Sequence, residues 1–519
     1  MNAVRELVTL VRAGIVRPMR PDRLLGVVGG YLRWDLTLPF GYAVGAARHP
    51  DRIAIIDELG SLSYREVEER TTRLAHGLTG RGVRAGSTVG LLCRNHRGFI
   101  EAAMACAKLG ANTVLLNTGL AAAQLRAVLS DQQVTTLIAD EEFAGDFPGV
   151  TTVVAWTDGP PDQGTLQGLI DSSAATPLPR RPPRGRLIVL TSGTTGTPKG
   201  ARRPEPASLS PAAALLSRIP LHSGEVSLIS APLFHTWGLA AFQIGVVLGA
   251  TLVLHRRFDP KSTVDSLASN KCTSLFAVPV MLQRILDLHG APRPLPALRV
   301  VASSGSALPA PVAQQFQREF GPVLYNLYGS TEVSWATIAT PEDLHAAPST
   351  AGRPPLGTRL AILDEVGAPV PQGGVGRIFV GNDMLFEGYT NGSGKEVREG
   401  LMSTGDLGHL DAEGRLFVVG RDDEMIVSGG ENVYPRATED AIAALPQVRE
   451  VAVVGVPDAE FGQRLAAFVV LTEGAELTAE SVRDHVRGRL ARYCVPREVT
   501  FLDELPRNST GKVLKRLLR

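Results

Sequence analysis

The sequence predicts an α/β protein. A large N-terminal domain of layered, mainly parallel sheets carries a β-rich subdomain and is followed by a small α+β C-terminal domain. Three observations lead there. Between about residues 50 and 345, short apolar runs alternate with longer segments of helical character, the rhythm of parallel sheets covered by helices. From about Gly352 to Gly420 the texture changes to short strand-like pieces separated by Gly and Pro turns. After Gly420, RDDEMIVSGGENVYP opens a last segment of about 100 residues with its own strands and helix.

The N-terminal extension, 1–45, carries Arg5, Arg12, Arg17, Arg20 and Arg23 against Glu6 and Asp22, with Val4, Val8, Val11 and Ile15 at helical spacing. That pattern suits a peripheral membrane helix, though a surface helix packed on its own domain, the commoner case, shows it too. The apolar stretch from Leu24 is broken by Arg33 and Asp35, short of the roughly 20 apolar residues that a membrane span needs. No cleavage site follows it.

In the core, 46–350, the runs Val89–Cys93, Leu187–Leu190, Val226–Ser230, Thr251–Leu254, Leu275–Val278, Arg299–Ala302 and Val323–Leu327 read as buried strands. The Pro-rich stretch Pro177–Arg186 reads as a loop. The β-rich part, 351–420, has strands at Arg359–Leu363, Gly376–Val380 and Leu416–Val419. The C-terminal part, 421–519, has strands at Val451–Val456 and Phe468–Leu471 and a helix at Ser481–Leu490.

Composition bounds the partners. The chain has 519 residues, 44% of them hydrophobic and 20% charged, with a net charge of +1. It folds around a sizeable core and offers no general field for nucleic acid. Cys93, Cys106, Cys272 and Cys494 are far apart with no CxxC pair, which indicates neither zinc nor a disulfide framework and fits a reducing cytoplasm. Gly and Pro together make up about 17% of the chain, against a usual share near 12%. Backbone that turns tightly or approaches a ligand closely is where chemistry is sought.

In open sheets, ligands gather at the carboxyl ends of strands. Those ends here are TSGTTG, APLFH, SSGSAL and YGSTE. The strongest signal is LTSGTTGTPKG, Leu190–Gly200, where glycines free backbone N–H groups, hydroxyls add donors and Lys199 adds charge, a combination suited to a polyphosphate. It is not a Walker A loop, because Lys199 follows Pro198 and precedes Gly200. In NLYGSTE, Tyr328 offers a face for a purine, Thr331 a hydroxyl for phosphate and Glu332 a hard oxygen for Mg²⁺. In STGDLG, Asp406 suits the two hydroxyls of a ribose, with Arg421 as a charged donor beside it. Lys512, in NSTGK near the end of the chain, reads by itself as a surface lysine.

Taken in order, TSGTTGTPKG, YGSTE, STGD, GRDDEMIVSGGENVYP and NSTGK closely resemble the motifs of the adenylate-forming superfamily of acyl-CoA synthetases, luciferases and peptide-synthetase adenylation domains. SGGENVYP and GNDMLFEGY look most like its fatty acyl-CoA synthetase branch. The resemblance implies a mobile C-terminal lid and two steps: ATP-dependent activation of a carboxylic acid, expected to be a medium- or long-chain fatty acid, to an acyl adenylate, then transfer to coenzyme A. It makes Thr191, Ser192, Gly193, Thr194, Thr195, Gly196 and Lys199 the phosphate loop, and Gly305, Ser306, Asn326 and Tyr328 the adenine site, with Gly329 a further cofactor contact. Thr191 and Glu332 become Mg²⁺ contacts, with Thr331 beside them, and Asp406 and Arg421 the ribose contacts. Asp423 becomes the hinge, Lys512 the catalytic lysine and His235 a neighbour of the acid's carboxylate. Gly429, Gly430 and Asn432 become a turn that the lid presents in the second step.

Two departures stand out. ARRPEPASLSP lacks a histidine that many relatives carry after the loop, and Ala437 stands where relatives often have Glu, leaving Glu439. Phe234, Trp237, Phe242 and Trp335 lie near motif positions as candidate pocket walls. The expected partners are ATP, Mg²⁺, coenzyme A and the acid, in the cytoplasm, with a homodimer and a peripheral membrane contact as further expectations. Two alternatives stay open: an acyl-AMP ligase delivering to a carrier protein's phosphopantetheine, and a non-catalytic adenylate-binding protein.

Overall fold

The structure is a computed structural model that describes residues 2–179, 181–191, 198–288, 295–428, 431–458 and 461–518. For Asn2, Asp423, Val427, Glu431 and Asn432 it describes the backbone alone. Two layered sheets form the large body. The first has eight strands in the order Thr337–Ala339, Leu324–Tyr328, Val300–Ser303, Ser274–Ala277, Val226–Ile229, Thr251–Leu254, Ile53–Asp57, Gly60–Ser63. All its neighbours are parallel except the two edge pairings. The second has six, in the order Thr151–Val154, Thr136–Ala139, Thr88–Leu92, Asn112–Leu115, Leu187–Thr191, Lys199–Arg203, with only the last pairing antiparallel.

These strands are near-continuous apolar runs because helices cover both faces of a parallel sheet. Ser274–Ala277 and Val300–Ser303 are buried at every position. Helix starts are set locally. Ser63 and Glu66 form a reciprocal capping box, Ser63 N–H donating to Glu66 Oε2 at 2.6 Å, at the head of the helix Tyr64–Gly80. The helix Thr236–Leu248 begins directly after His235 and is apolar almost all round, as a helix clamped between layers must be.

A third, wholly antiparallel sheet holds Arg359–Leu363, Gly376–Gly381, Val397–Arg398, Leu401–Leu410 and Leu416–Arg421. The fourth belongs to the small C-terminal domain and joins Glu431–Val433, Ile426–Ser428, Gly462–Leu471, Val448–Asp458 and Glu498–Phe501. It has a core of its own, built on residues such as Ile442, Val453, Val469, Val482 and Val486. The predicted fold class is therefore the observed one.

The sequence reading places most strand ends within about two residues. Of the strands it names, the larger miss is Gly462–Leu471, where it gives Phe468–Leu471; it does not name several others, among them Ile53–Asp57, Asn112–Leu115, Thr136–Ala139, Lys199–Arg203 and Leu401–Leu410. Three helices precede the first strand: α1 (Asn2–Arg12), α2 (Pro21–Trp34) and α3 (Leu38–Arg48). The loop read at Pro177–Arg186 grips the end of α2: Arg181 Nε donates to Leu32 O at 2.9 Å and Arg33 donates to Leu178 O at 2.8 Å. Among the described residues no helix is long and apolar enough to cross a membrane.

Candidate active site

Three strands of the first sheet, Val226–Ile229, Val300–Ser303 and Leu324–Tyr328, run parallel, the first joined to the second through Ser274–Ala277, and end on one side. The loops that leave them, with Thr191 at the end of a second-sheet strand, line a cavity of about 1760 Å³. That exceeds the roughly 300–1,000 Å³ of an ordinary single-ligand pocket and leaves room for two reactants. Among its lining residues are Thr191, Lys199, His235, Gly305, Ser306, Asn326, Tyr328, Gly329, Thr331, Glu332, Asp406, Arg421 and Lys512. Residues scattered over more than 300 positions are thus brought together. Ser192, Gly193, Thr194, Thr195 and Gly196 lie outside the described residues, as do Gly429 and Gly430 and the side chains of Asn432 and Asp423.

Thr191 and Lys199 face each other across the antiparallel pair that flanks the loop, and Thr191 Oγ1 donates to Lys199 O at 3.1 Å. The Lys199 ammonium stands over the Tyr389 ring, 5.6 Å from its centroid. The Tyr389 hydroxyl in turn donates to Glu332 Oε1 at 2.5 Å. Burial, and then the neighbouring Glu332 carboxylate, raise the Tyr389 phenol's pKa, so it stays a donor. Arg203 stands behind Glu332 and donates to Thr331 O and, at 2.8 Å, to Ser334 Oγ. Burial draws its pKa down to about 10, while Glu332 acts the other way.

Gly329 marks a close backbone approach. A Cβ there would lie 2.3 Å from Ser334 O, so only glycine lets the chain turn from the strand into Ser330–Glu332.

Tyr328 hydroxyl donates to Asp406 Oδ2 at 2.5 Å, and Asp406 pairs in register with Arg421 on the adjacent strand. Burial raises the Asp406 pKa; the Tyr328 hydrogen bond and the charges of Arg421, Lys512 and Lys395 act against that rise. His235 faces the cavity at the head of its helix. Burial, followed by the Lys512 charge, pulls its pKa down to about 4, so the ring is neutral near pH 7. Lys512 itself is exposed, on a turn in which Asn508 Oδ1 accepts from its backbone N–H at 2.9 Å. The turn is pressed on the body: a Cβ on Gly511 would be 2.7 Å from Val280 Cγ1.

Phe234, Trp237 and Trp335 line the cavity. Phe242, a fourth expected wall, does not; it is fully buried on the core side of its helix. Trp237 is fixed by donating to Ala277 O at 3.0 Å. Sequence reasoning missed Tyr389, Arg203 and Lys395. Only Tyr389 carried a signal, as the last residue of GNDMLFEGY, and its tie to Glu332 needs the fold. Glu439, the match left beside Ala437, pairs with Lys515 at 3.0 Å.

Two oxygens fit a hard cation. Thr191 Oγ1 spends its proton on Lys199 O and keeps its lone pairs, and the Glu332 carboxylate accepts from Tyr389 at Oε1, which leaves lone pairs for a cation. By contrast, Cys93, His96 and Asp140 form a buried cluster whose groups are already occupied. His96 Nε2 meets Asp140 Oδ1 at 2.7 Å, and His96 Nδ1 accepts from Gly98 N–H. All four cysteines are buried and free.

The AMP-binding enzyme family matches residues 43–390, and the AMP-binding enzyme C-terminal domain matches residues 437–512. The indoleacetate–CoA ligase of Aromatoleum aromaticum is 35% identical over 491 residues, covering 91% of this chain and 95% of that one. The 2-succinylbenzoate–CoA ligase of Geobacillus kaustophilus is 34% identical over 491 residues, covering 93% and 98%. Among solved structures, o-succinylbenzoate CoA synthetase from Bacillus subtilis, in complex with its acyl-adenylate intermediate, has a TM-score of 0.82 at 28% identity and covers 92% of this chain and 97% of that chain. The same protein with ATP and magnesium ion gives 0.81 at 29% identity, covering 92% and 98%.

Proposed function

This chain belongs to the AMP-binding enzyme family, and on that premise we propose that it is an AMP-forming acyl-CoA ligase acting on an aromatic carboxylic acid. The observation that carries this reading is the meeting of Thr191, Lys199, His235, Glu332, Asp406, Arg421 and Lys512 around one cavity with an apolar, Trp-lined arm. The names of the two relatives, an indoleacetate and a 2-succinylbenzoate ligase, support an aromatic acid rather than the medium- or long-chain fatty acid expected from the sequence.

The acid's carboxylate attacks the α-phosphorus of ATP, and pyrophosphate leaves. Two anions must be held in line while charge grows on the phosphate oxygens. Tyr328 presents a flat face to the purine, and Asp406, ionised with the help of Arg421, accepts from the ribose hydroxyls. Lys199 and Lys512 neutralise phosphate charge. Thr191 and Glu332 would hold Mg²⁺, which supplies Lewis-acid stabilisation of phosphate charge. His235, neutral, stands beside the acid without adding a competing charge. In the second step the thiol of coenzyme A attacks the acyl carbon, and AMP leaves. That step asks for rotation about Asp423, so that Gly429, Gly430 and Asn432 replace Lys512 beside the adenylate.

One observation favours an extended acid as a second reading. Thr236, Ala240, Gln243 and Val247 form a single stripe of the helix Thr236–Leu248 and all line the cavity, giving a wall about 16 Å long. A panel of aryl acids and straight-chain acids, assayed for AMP with coenzyme A and with a holo carrier protein as acceptors, separates the readings. Aryl acids are expected to give the highest kcat/KM, with coenzyme A as acceptor. A maximum at a straight-chain acid, or transfer only to the carrier protein, would overturn the proposal. ATP binding without acid-dependent pyrophosphate release would leave a non-catalytic protein.

A further inference from the structure

The N-terminal helices are built inside out. In α1, Val4, Leu7, Val8 and Val11 recur at i, i+3, i+4 and i+7, the spacing of a core-facing stripe, yet all four are exposed, Val4 at 68%. The opposite face makes the contacts: Leu10 and Ala13 are buried, and Glu6 accepts from Ser210 Oγ at 2.8 Å. In α2, Leu25, Val28 and Leu32 form a second outward stripe, with Leu25 at 73% exposure. Among the described residues, ten of the seventeen large apolar side chains that stand exposed fall within residues 4–32. Such a concentration on one part of a surface marks an interaction site.

Charge says what covers it. Residues 1–34 hold six arginines against two acids, in a chain whose net charge is only +1. Arg5, Arg12, Arg17 and Arg20 are exposed beside the stripes. Arg17, Arg23, Arg48 and Arg52 crowd His49 closely enough to lower its pKa, after burial, and no carboxylate is among the groups acting on it. Arg20 pairs with Asp22 at 3.4 Å, but arginines still outnumber acids six to two, and apolar side chains flanked by that excess on helices of 11 and 14 residues match an element lying in the plane of a bilayer with anionic headgroups. A partner protein of ordinary composition would meet the arginines with carboxylates and would not call for the apolar stripes on both helices.

We propose that α1 and α2 form a peripheral docking surface for an anionic lipid bilayer, the apolar stripes entering the acyl boundary and the arginines contacting headgroup phosphates. The inner side of α2, through Val27, and the segment that joins the two helices, through Ile15 and Met19, line the cavity that contains the candidate active site. Docking would therefore set that cavity's far end against the membrane.

Co-sedimentation of the full chain with vesicles tests this. Phosphatidylcholine vesicles containing one-third phosphatidylglycerol should bind the chain, and pure phosphatidylcholine should bind it far more weakly, with the difference shrinking as salt is raised. Arg5→Gln, Arg12→Gln and Arg20→Gln together should lower the partition coefficient on the order of a hundredfold, about fivefold for each arginine. Leu7→Ser with Leu25→Ser and Leu32→Ser should release the protein, with far-UV circular dichroism and acid-dependent AMP formation in solution unchanged. Equal sedimentation of wild type and both variants, or none by wild type, overturns the proposal. It is also overturned if the apolar variant turns a dimer into a monomer while wild type ignores vesicles, since a second copy then covers the face.

Discussion

At the scale of single residues, the candidate site works by setting charges against burial. Asp406 is disfavoured as a carboxylate by its surroundings and held to that form by a tyrosine hydroxyl and nearby cations, while His235 is driven to its neutral form. Lys512 acts on both, from a turn that belongs to a different domain. Replacing it with alanine should slow acid-dependent pyrophosphate release by about 10²-fold to 10³-fold, the usual loss when one preorganised charge is removed. Conversion of supplied acyl-AMP to thioester should persist. The same substitution removes a positive charge from beside His235, so the ring's pKa should rise from about 4 toward 6.5, read by NMR on the unliganded protein. The direction also fixes a stability effect. A histidine with a depressed folded-state pKa binds more protons when unfolded, so its contribution is present above pH 6.5 and is lost as pH falls from 6.5 toward 4. Denaturation midpoints compared at pH 7 and pH 5 should show a smaller acid loss in Lys512→Ala than in wild type. Equal impairment of both half-reactions, with an unmoved His235, would remove Lys512 from the role assigned to it.

At the scale of elements, the decisive feature is a four-residue passage between sheets. Leu416–Arg421 is hydrogen-bonded into the antiparallel sheet of the body, and Ile426–Ser428 into the sheet of the C-terminal domain. Everything between is one 3₁₀ turn, Asp422–Glu424, followed by Met425. Asp423 is its middle residue, where a change in φ or ψ would swing the C-terminal sheet with the fewest broken backbone hydrogen bonds. Asp423→Pro, which fixes φ near −65°, should leave adenylation within a few-fold of wild type and slow thioester formation from preformed adenylate, measured by rapid quench. A drop confined to adenylation would place the pivot elsewhere. The start of the last segment was legible in the sequence because the texture changes after Gly420, whereas Asp423 as its pivot rests on the resemblance alone; the central strands were legible because burial on both faces leaves continuous apolar runs such as Ser274–Ala277. Lys199–Arg203 was not. It is an edge strand of basic residues with no alternation to mark it, and its existence depends on pairing with Leu187–Thr191 across the loop. Tyr389 was equally hidden. Its importance lies in the Glu332 contact, made 57 residues away by a loop without regular structure.

At the scale of the whole molecule, the arrangement seen is the one that brings Lys512 to the cavity, and among the described residues weak ties help to hold it there. Ser509 Oγ donates to Asn117 Oδ1, Arg449 pairs with Asp287 at 2.8 Å, and the Gly511 backbone rests on Val280. The ion pair is more than a third exposed on each side, so it contributes at most about 1 kcal/mol. That is small against a folded domain's stability but enough to shift a balance between two lid positions about fivefold. If the lid leaves this arrangement once per turnover, as proposed, several weak ties serve it better than one strong one, since a deep minimum would slow the second step. Asp287→Asn should therefore lower the rate of adenylation by up to about fivefold while leaving thioester formation from supplied acyl-AMP unchanged or faster. Raising salt should reproduce the effect in wild type and add little in the variant, because the screened interaction is already gone. Rapid-quench measurement of the two half-reactions at low and high salt reads all four values. Slowing of both steps to the same extent, or an equal salt response in variant and wild type, would show that the Arg449–Asp287 pair does not set the position of the lid.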